Sequence, residues 1–243
     1  MTPNVAGLLA LLLYLAIWIG VTIRQIRQCP DGTQVWLLIV IARLYAPFFF
    51  SLRIRSPSSL PAHGGGLFIS NHRSPVDPML ILSTSPCKVG GHRFRTLEFL
   101  TAREYVEMKG VIGWICRTTR AIPVNRNGRD MGPVKEALRR LQAGRLVGIF
   151  PEGRINKGEG LLPGNPGVAW LALKAGVPVI PIHIDGMTIT DDDMVKPFYT
   201  FRHIRVDYGP PIDLREFQNH PTNAATLERV TDHLMLALAK LAP

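Results

Sequence analysis

The run AGLLALLLYLAIWIGVTI, residues 6–23, carries no charged side chain over eighteen consecutive positions. At helical rise it spans about 27 Å, roughly one bilayer hydrocarbon core. A signal peptide is the competing reading. No Lys or Arg precedes the run and no A-x-A cleavage site follows it, so a retained membrane anchor is expected. Arg24 and Arg27 come directly after it. The positive-inside rule then places that end, and the main domain beyond it, on the cytoplasmic side of the cell membrane, or of the inner membrane in a bacterium.

A second apolar stretch, residues 35–52, is interrupted by Arg43 and Pro47. Were it also to span, Arg24 and Arg27 would lie on the face opposite the rest of the chain, against the charge rule. It therefore reads as an interfacial or re-entrant helix, with Phe48, Phe49 and Phe50 at the acyl boundary. A buried core helix is the alternative. The remaining length suits one domain with its own core.

Net charge is +10, from 28 Lys and Arg against 18 Asp and Glu, and mean hydropathy is +0.14. That excess of positive charge asks for an anionic partner: nucleic acid, a phospholipid surface or a phosphorylated substrate. Nucleic acid is disfavoured, because the arginines are dispersed and no zinc-finger or RRM-like signature is present. Cys29, Cys87 and Cys116 are odd in number and form no CxxC pair, which reads as reduced thiols without chemistry.

After Arg55 the pattern changes. SPSSLPAHGGG is a loop signal, and short β-rich runs then alternate with helical periods. The runs are LFIS, FRTLEFLTA, RAIPV, RLVGIF, VPVIPIHI and HIRVDYG. Val134, Ala137, Leu138 and Leu141 fall on one helical face, residues 168–175 suit another helix, and Leu227, Val230, Leu234, Leu238 and Leu241 mark a C-terminal one. Strands alternating with helices predict an α/β sandwich around a largely parallel or mixed sheet.

Three stretches carry residues suited to chemistry. In FISNHRSPVDPML a strand stops at Asn71-His72, and Asp77 follows five residues after the histidine. Pro75 suits the first turn of a helix that brings Asp77 back under the imidazole. A carboxylate on Nδ1–H fixes the tautomer and leaves Nε2 to take a proton. With no enzyme nucleophile in view, that proton comes from a substrate hydroxyl; a hydrogen-bonded turn without catalysis is the alternative for so short a motif. In GIFPEGRINKGEG a strand ends on a tight turn, where Glu152 beside Gly153 suits substrate hydroxyls and Arg154 suits a phosphate. A surface ion pair is the bland alternative there. RAIPVNR delivers Arg126 to the same edge, where a strand-end charge in solvent is the preferred reading of that residue taken alone. HGGG, residues 63–66, has no G-x-S-x-G to accompany it and is a flexible turn; Walker A and H-E-x-x-H are absent. His183 reads as a satisfied histidine on a sheet, and residues 191–193 as a solvated acidic loop rather than a metal site.

In this order Asn71-His72-x4-Asp77, AIPVNR ending at Arg126, FPEGR over residues 150–154 and VPVIPI over residues 177–182 resemble the glycerolipid acyltransferases typified by 1-acylglycerol-3-phosphate acyltransferases. The likeness covers residues 66 to about 209. It implies a mixed, largely parallel sheet flanked by helices, with an N-terminal membrane-associated helical element: residues 1–55 as anchor and interfacial helices, 56–243 as the acyltransferase domain. It implies that His72 is the base and Asp77 its orienting partner, and that Arg126, Glu152, Gly153 and Arg154 hold a glycerol phosphate. The fourth block lines the site or acyl pocket. Two departures stand out: Arg154 follows Gly153 directly where many members read FPEGTR, and TAREYVEMKGVIGW offers Arg103 where a lysine is common. Arg103 and Asn71 are expected in supporting roles. The implied donor is acyl-CoA or acyl carrier protein, and the acceptor a lysophosphatidic-acid-like lipid at a phospholipid surface, with no metal and no bound cofactor. Glycerol 3-phosphate, another lysophospholipid or an acylated amino-acid lipid are the alternative acceptors, and a non-catalytic lipid-binding protein is the alternative class.

Overall fold

The strand runs read from the sequence condense into one sheet. The computed structural model describes residues 3–56, 61, 63–84, 95–125, 130–187 and 195–243, side chains at 3, 4 and 56 aside. Among these, β1 (Arg53–Ser56), β2 (Gly66–Ser70), β3 (Leu97–Ala102), β4 (Ile122–Val124), β5 (Leu146–Ile149), β6 (Val179–Asp185) and β7 (Arg205–Tyr208) stand in the order β1-β7-β6-β2-β5-β3-β4. Neighbours from β6 to β4 are parallel, β7 is antiparallel to β6, and β1 is parallel to β7. The sheet is mixed and largely parallel, as expected.

Central strands of such a sheet are buried on both faces and so read as near-continuous apolar runs. In β2 every residue is buried. Phe68 points to one core, built with Val76, Leu80 and Ile81 and with Ala46 and Phe50. Leu67 and Ile69 point to the other, with Ala137, Leu141, Leu171, Val230 and Leu234. The first face is covered by α2 (Thr33–Phe50) and α3 (Asp77–Thr84), the second by α6 (Gly132–Gln142), α7 (Pro166–Ala175) and α9 (Ala224–Ala239). Between them run α4 (Arg103–Glu107), α5 (Val111–Thr118) and the single-turn α8 (Lys196–Tyr199). The seventh helix starts two residues before its expected onset, because the Asn165 side chain accepts from Gly167 N at 2.8 Å and Pro166 takes the first turn.

The N-terminal helix α1 (Pro3–Arg27) and α2 are both long and apolar enough to cross a membrane, but they differ in surroundings. The apolar window of α1 is entirely uncovered. By contrast α2 buries Val35, Ile39, Ala42, Ala46 and Phe50 along one stripe, while Leu37, Ile41, Leu44 and Phe48 face outward. Of the three phenylalanines expected at the acyl boundary, Phe50 is fully buried and Phe49 packs partly into the core, leaving Phe48 at the surface. The core reading of residues 35–52 describes one side of the helix; the other side is apolar and exposed.

The turn between these helices is fastened to the domain. Asp31, its side chain 2% exposed, meets Arg145 at 2.6 Å and Arg120 at 3.2 Å. Arg145 also pairs with buried Glu98, which Arg140 reaches at 2.8 Å. These groups gather at the amino ends of the parallel strands. HGGG lies at that edge too: His63 and Gly64 are exposed, while Gly65 is buried so closely that a Cβ on it would sit 2.2 Å from the Leu141 carbonyl oxygen.

Candidate active site

The carboxyl ends of the parallel strands meet at the opposite edge, where α/β proteins place their sites. The loop after β2 carries Asn71 and His72, that after β5 carries Glu152 and Arg154, and β3 runs directly into α4, whose first residue is Arg103. Arg126 follows β4 by two residues and lies outside the described residues, as do Asp191, Asp192, Asp193 and Cys87.

Asn71 is wholly buried and continues the ladder with its side chain: Nδ2 donates to Ile184 O at 2.8 Å, and Ile184 N donates to Oδ1 at 2.8 Å. This pins the end of β2 to β6 and fixes where His72 leaves the sheet. His72 Nδ1 lies 2.9 Å from Asp77 Oδ2. The same oxygen accepts Arg73 N at 2.6 Å and Ser74 N at 2.8 Å, so it organises the turn as well as the imidazole. Pro75 stands in that turn rather than in the helix, and Asp77 is the first residue of α3. With Nδ1–H donating to the carboxylate, Nε2 is left as acceptor. The ring stacks on Phe150, centroids 4.0 Å apart and planes 12° apart, and Phe150 stacks on Phe99 in turn.

Glu152 is buried, and both its oxygens meet main chain: Oε1 accepts His72 N and Oε2 accepts Leu162 N, each at 2.9 Å. The carboxylate expected to receive substrate hydroxyls thus joins the histidine loop to the loop after β5. Gly153 turns with φ +67°, a left-handed value natural to glycine. Arg154, next to it, is exposed and forms no ion pair among the described residues. Arg103 is 44% exposed, and donates from Nε to Asn125 Oδ1 at 2.8 Å and from Nη1 to Glu107 Oε1 at 3.1 Å.

Two residues absent from the sequence reading complete the site. Arg73 spreads its guanidinium over the carbonyls of Asn156, Gly158 and Gly160, the last at 2.9 Å. Asn156 N donates to His72 O at 2.7 Å, and its side chain bonds Gly158 N and Gly160 O. Together they close the loop after β5 against the histidine turn. His183, expected to be satisfied, is buried on β6 with Nδ1 unpartnered among the described residues, and burial pushes its pKa down. Cys29 and Cys116 are free thiols whose pKa values are raised by burial, which suits their bland reading.

The arrangement is a histidine hydrogen-bonded to a buried carboxylate at the strand ends, with an exposed arginine in the loop after β5. Comparison with known proteins gives the family. A family model described as Acyltransferase matches residues 51–185. The 1-acyl-sn-glycerol-3-phosphate acyltransferase of Escherichia coli (strain K12) is 26% identical over 184 residues, covering 73% of this chain and 69% of that protein. That of Haemophilus influenzae is 28% identical over 146 residues, covering 58% and 56%. The crystal structure of the 1-acyl-sn-glycerophosphate (LPA) acyltransferase PlsC from Thermotoga maritima superposes with a TM-score of 0.64 at 18% identity, over 85% of this chain and 78% of that one. The structural likeness bears on the fold; the family match, which spans more than half the chain and takes in His72, Asp77 and Glu152, bears on the chemistry. The chain belongs to the acyltransferase family and is an acyltransferase.

Proposed function

We propose that this enzyme transfers a fatty acyl group from a thioester, acyl-CoA or acyl carrier protein, to the free hydroxyl of a 1-acylglycerol 3-phosphate at a membrane surface. The observation that carries this reading is the 2.9 Å contact between His72 Nδ1 and a fully buried Asp77 at the carboxyl edge of the sheet. His72 Nε2 takes the hydroxyl proton as the alkoxide oxygen attacks the thioester carbonyl. A carbon–oxygen bond forms, the tetrahedral oxyanion collapses, the carbon–sulfur bond breaks, and the thiolate leaves with the proton from the imidazolium. Asp77 holds the tautomer and stabilises the transient cation. Arg154, and Arg126 from the loop after β4, hold the phosphate through their planar forks. Glu152 acts by fastening the two loops, and Asn71 by anchoring the strand end. Arg103 supports the edge electrostatically. The chemistry calls for no metal.

Residues 1–55 attach the enzyme to the membrane and 56–243 carry the transfer, with α2 serving both through its two stripes. The domain faces the cytoplasm, on the side of Arg24 and Arg27. The names of the relatives support the acceptor, and the net charge of +10 supports work at an anionic surface. The test is thiol release by the purified full-length enzyme with acyl-CoA or acyl carrier protein. Lysophosphatidic acid, glycerol 3-phosphate and lysophosphatidylcholine are offered in turn, and the product is identified by mass. Phosphatidic acid formed only with the first is expected; transfer chiefly to either of the others overturns the acceptor.

A further inference from the structure

Helix α5 buries only Gly113. That glycine lies so close to the end of α4 that an added Cβ would sit 1.8 Å from the Met108 carbonyl oxygen. The opposite side is bare: Val111 is 70% exposed, Ile112 40%, Trp114 37% and Ile115 38%. At about 100° per residue these four fall within an arc of roughly 160°. Four large apolar residues side by side on an exposed helix face form a surface that needs a cover.

Two observations point to what covers it. Residues 108–129 hold five basic residues, Lys109, Arg117, Arg120, Arg126 and Arg129, and no Asp or Glu, and of the five Arg120 is paired with Asp31. A basic segment bearing an apolar face with a tryptophan suits an anionic phospholipid surface. The helix also packs beside α2, whose outward stripe of Leu37, Ile41, Leu44 and Phe48 is equally bare, and α2 in turn meets the uncovered α1. Two of these helices, α5 and α1, are therefore each adjacent to α2.

We propose that α5 is a second point of membrane contact, lying in the headgroup region of an anionic phospholipid surface with its four apolar residues at the acyl boundary. This rests on the membrane location of the acceptor and deepens it. One spanning helix is a single tether that leaves the domain free to turn. The outer stripe of α2 together with α5 removes that freedom. Because α4 and α5 leave the carboxyl end of β3, the contact holds the His72 edge at headgroup depth, where a lipid hydroxyl is met without extraction from the bilayer.

The test uses the full-length chain, whose four tryptophans are reduced to one by Trp18→Phe, Trp36→Phe and Trp170→Phe. It is reconstituted in vesicles of phosphatidylcholine and phosphatidylglycerol with plain or brominated acyl chains. Expected is quenching of Trp114 by the brominated chains and shielding from aqueous iodide. A companion chain keeping only Trp18 reports insertion of α1. Quenching of Trp18 with Trp114 open to iodide overturns the proposal and leaves the membrane location standing; loss of both signals overturns both, while acyl transfer in detergent still reports the activity separately. Shielding of Trp114 that grows with protein concentration in lipid-free buffer assigns the face to a second copy and also overturns it. In activity, Ile112→Asp with Ile115→Asp should lower turnover of a vesicle-embedded acceptor by about tenfold or more, the equivalent of one lost isoleucine burial, and leave turnover of a detergent-dispersed acceptor unchanged. Equal loss in both media, or none in either, counts against the proposal.

Discussion

The imidazole of His72 is held on its edge by Asp77 and on its face by a stack that begins two strands away. A Cβ on Gly148 would lie 2.4 Å from the Phe99 ring, so only glycine lets that ring cross β5, meet Phe150 at 5.5 Å and place Phe150 on His72 at 4.0 Å. Phe150→Ala keeps the Asp77 hydrogen bond but frees the ring face, and kcat should fall roughly two- to tenfold, the worth of one stacked pair, as steady-state kinetics will show. Arg154 belongs to binding instead. Arg154→Ala should cost on the order of 1.5–3 kcal/mol, about ten- to hundredfold in kcat/KM for lysophosphatidic acid, with the donor KM unmoved. Arg154→Lys should recover part of this, since it keeps the charge and loses the fork. If the donor KM rises instead, the arginine reads the donor's phosphates. His72 and Asp77 were legible in the sequence because their partnership is local, five residues along one turn. Arg73 was not. Its acceptors are main-chain carbonyls 83 to 87 residues further on, and a carbonyl has no letter in the sequence. The same reason hid the two main-chain amides that meet Glu152, whose charge alone had suggested a substrate contact.

Among elements, the best-read were those buried on both sides. β2, β5 and β6 are mainly apolar because each face of the sheet is covered by helices, and α9 showed itself through Val230, Leu234 and Leu238 on its buried face. β1 escaped notice: RIRS is four residues at the sheet edge, with Arg53 and Arg55 exposed, and arginines on an edge strand hide its pairing with β7. The α1–α2 turn was unreadable as an anchor, since Asp31 finds Arg145 only in the fold. Removing that buried carboxylate leaves Arg145 with Glu98 alone and turns the half-exposed Arg120 to solvent, at a cost of about 1–3 kcal/mol. Asp31→Ala should lower Tm by roughly 2–12 °C in thermal unfolding of the detergent-purified enzyme. His183 makes a pH prediction at the same scale. Its folded pKa is lowered by burial, while Asp185 and Asp207 oppose the shift and Arg73 and Arg205 reinforce it. The unfolded state therefore binds the proton first, and stability should drop as pH falls below about 6.5. His183→Gln should flatten that drop in denaturant titrations at pH 7 and pH 5; an unchanged slope would remove His183 from the cause.

For the whole molecule, an uncovered apolar helix, a net charge of +10 and strand-end residues at one edge of the sheet support the proposed work at a membrane. The proposed cytoplasmic orientation predicts that Glu228→Cys on the exposed part of α9 resists an impermeant thiol reagent in intact cells and reacts once they are broken. Labelling in intact cells would reverse the orientation. The central claim, that His72 is the base of an acyl transfer, is tested most directly by adding lysophosphatidic acid and an acyl thioester to purified wild type, His72→Ala and Asp77→Asn, and following thiol release and phosphatidic acid together. Asp77→Asn is a gentle change, because its remaining oxygen can keep the Arg73 and Ser74 amides and its new nitrogen replaces the unpartnered Oδ1. Circular dichroism should therefore stay unchanged in both variants. His72→Ala should lose on the order of 10²–10⁴-fold in rate, and Asp77→Asn a large part of that. A His72→Ala enzyme that forms phosphatidic acid at close to the wild-type rate would contradict the mechanism outright.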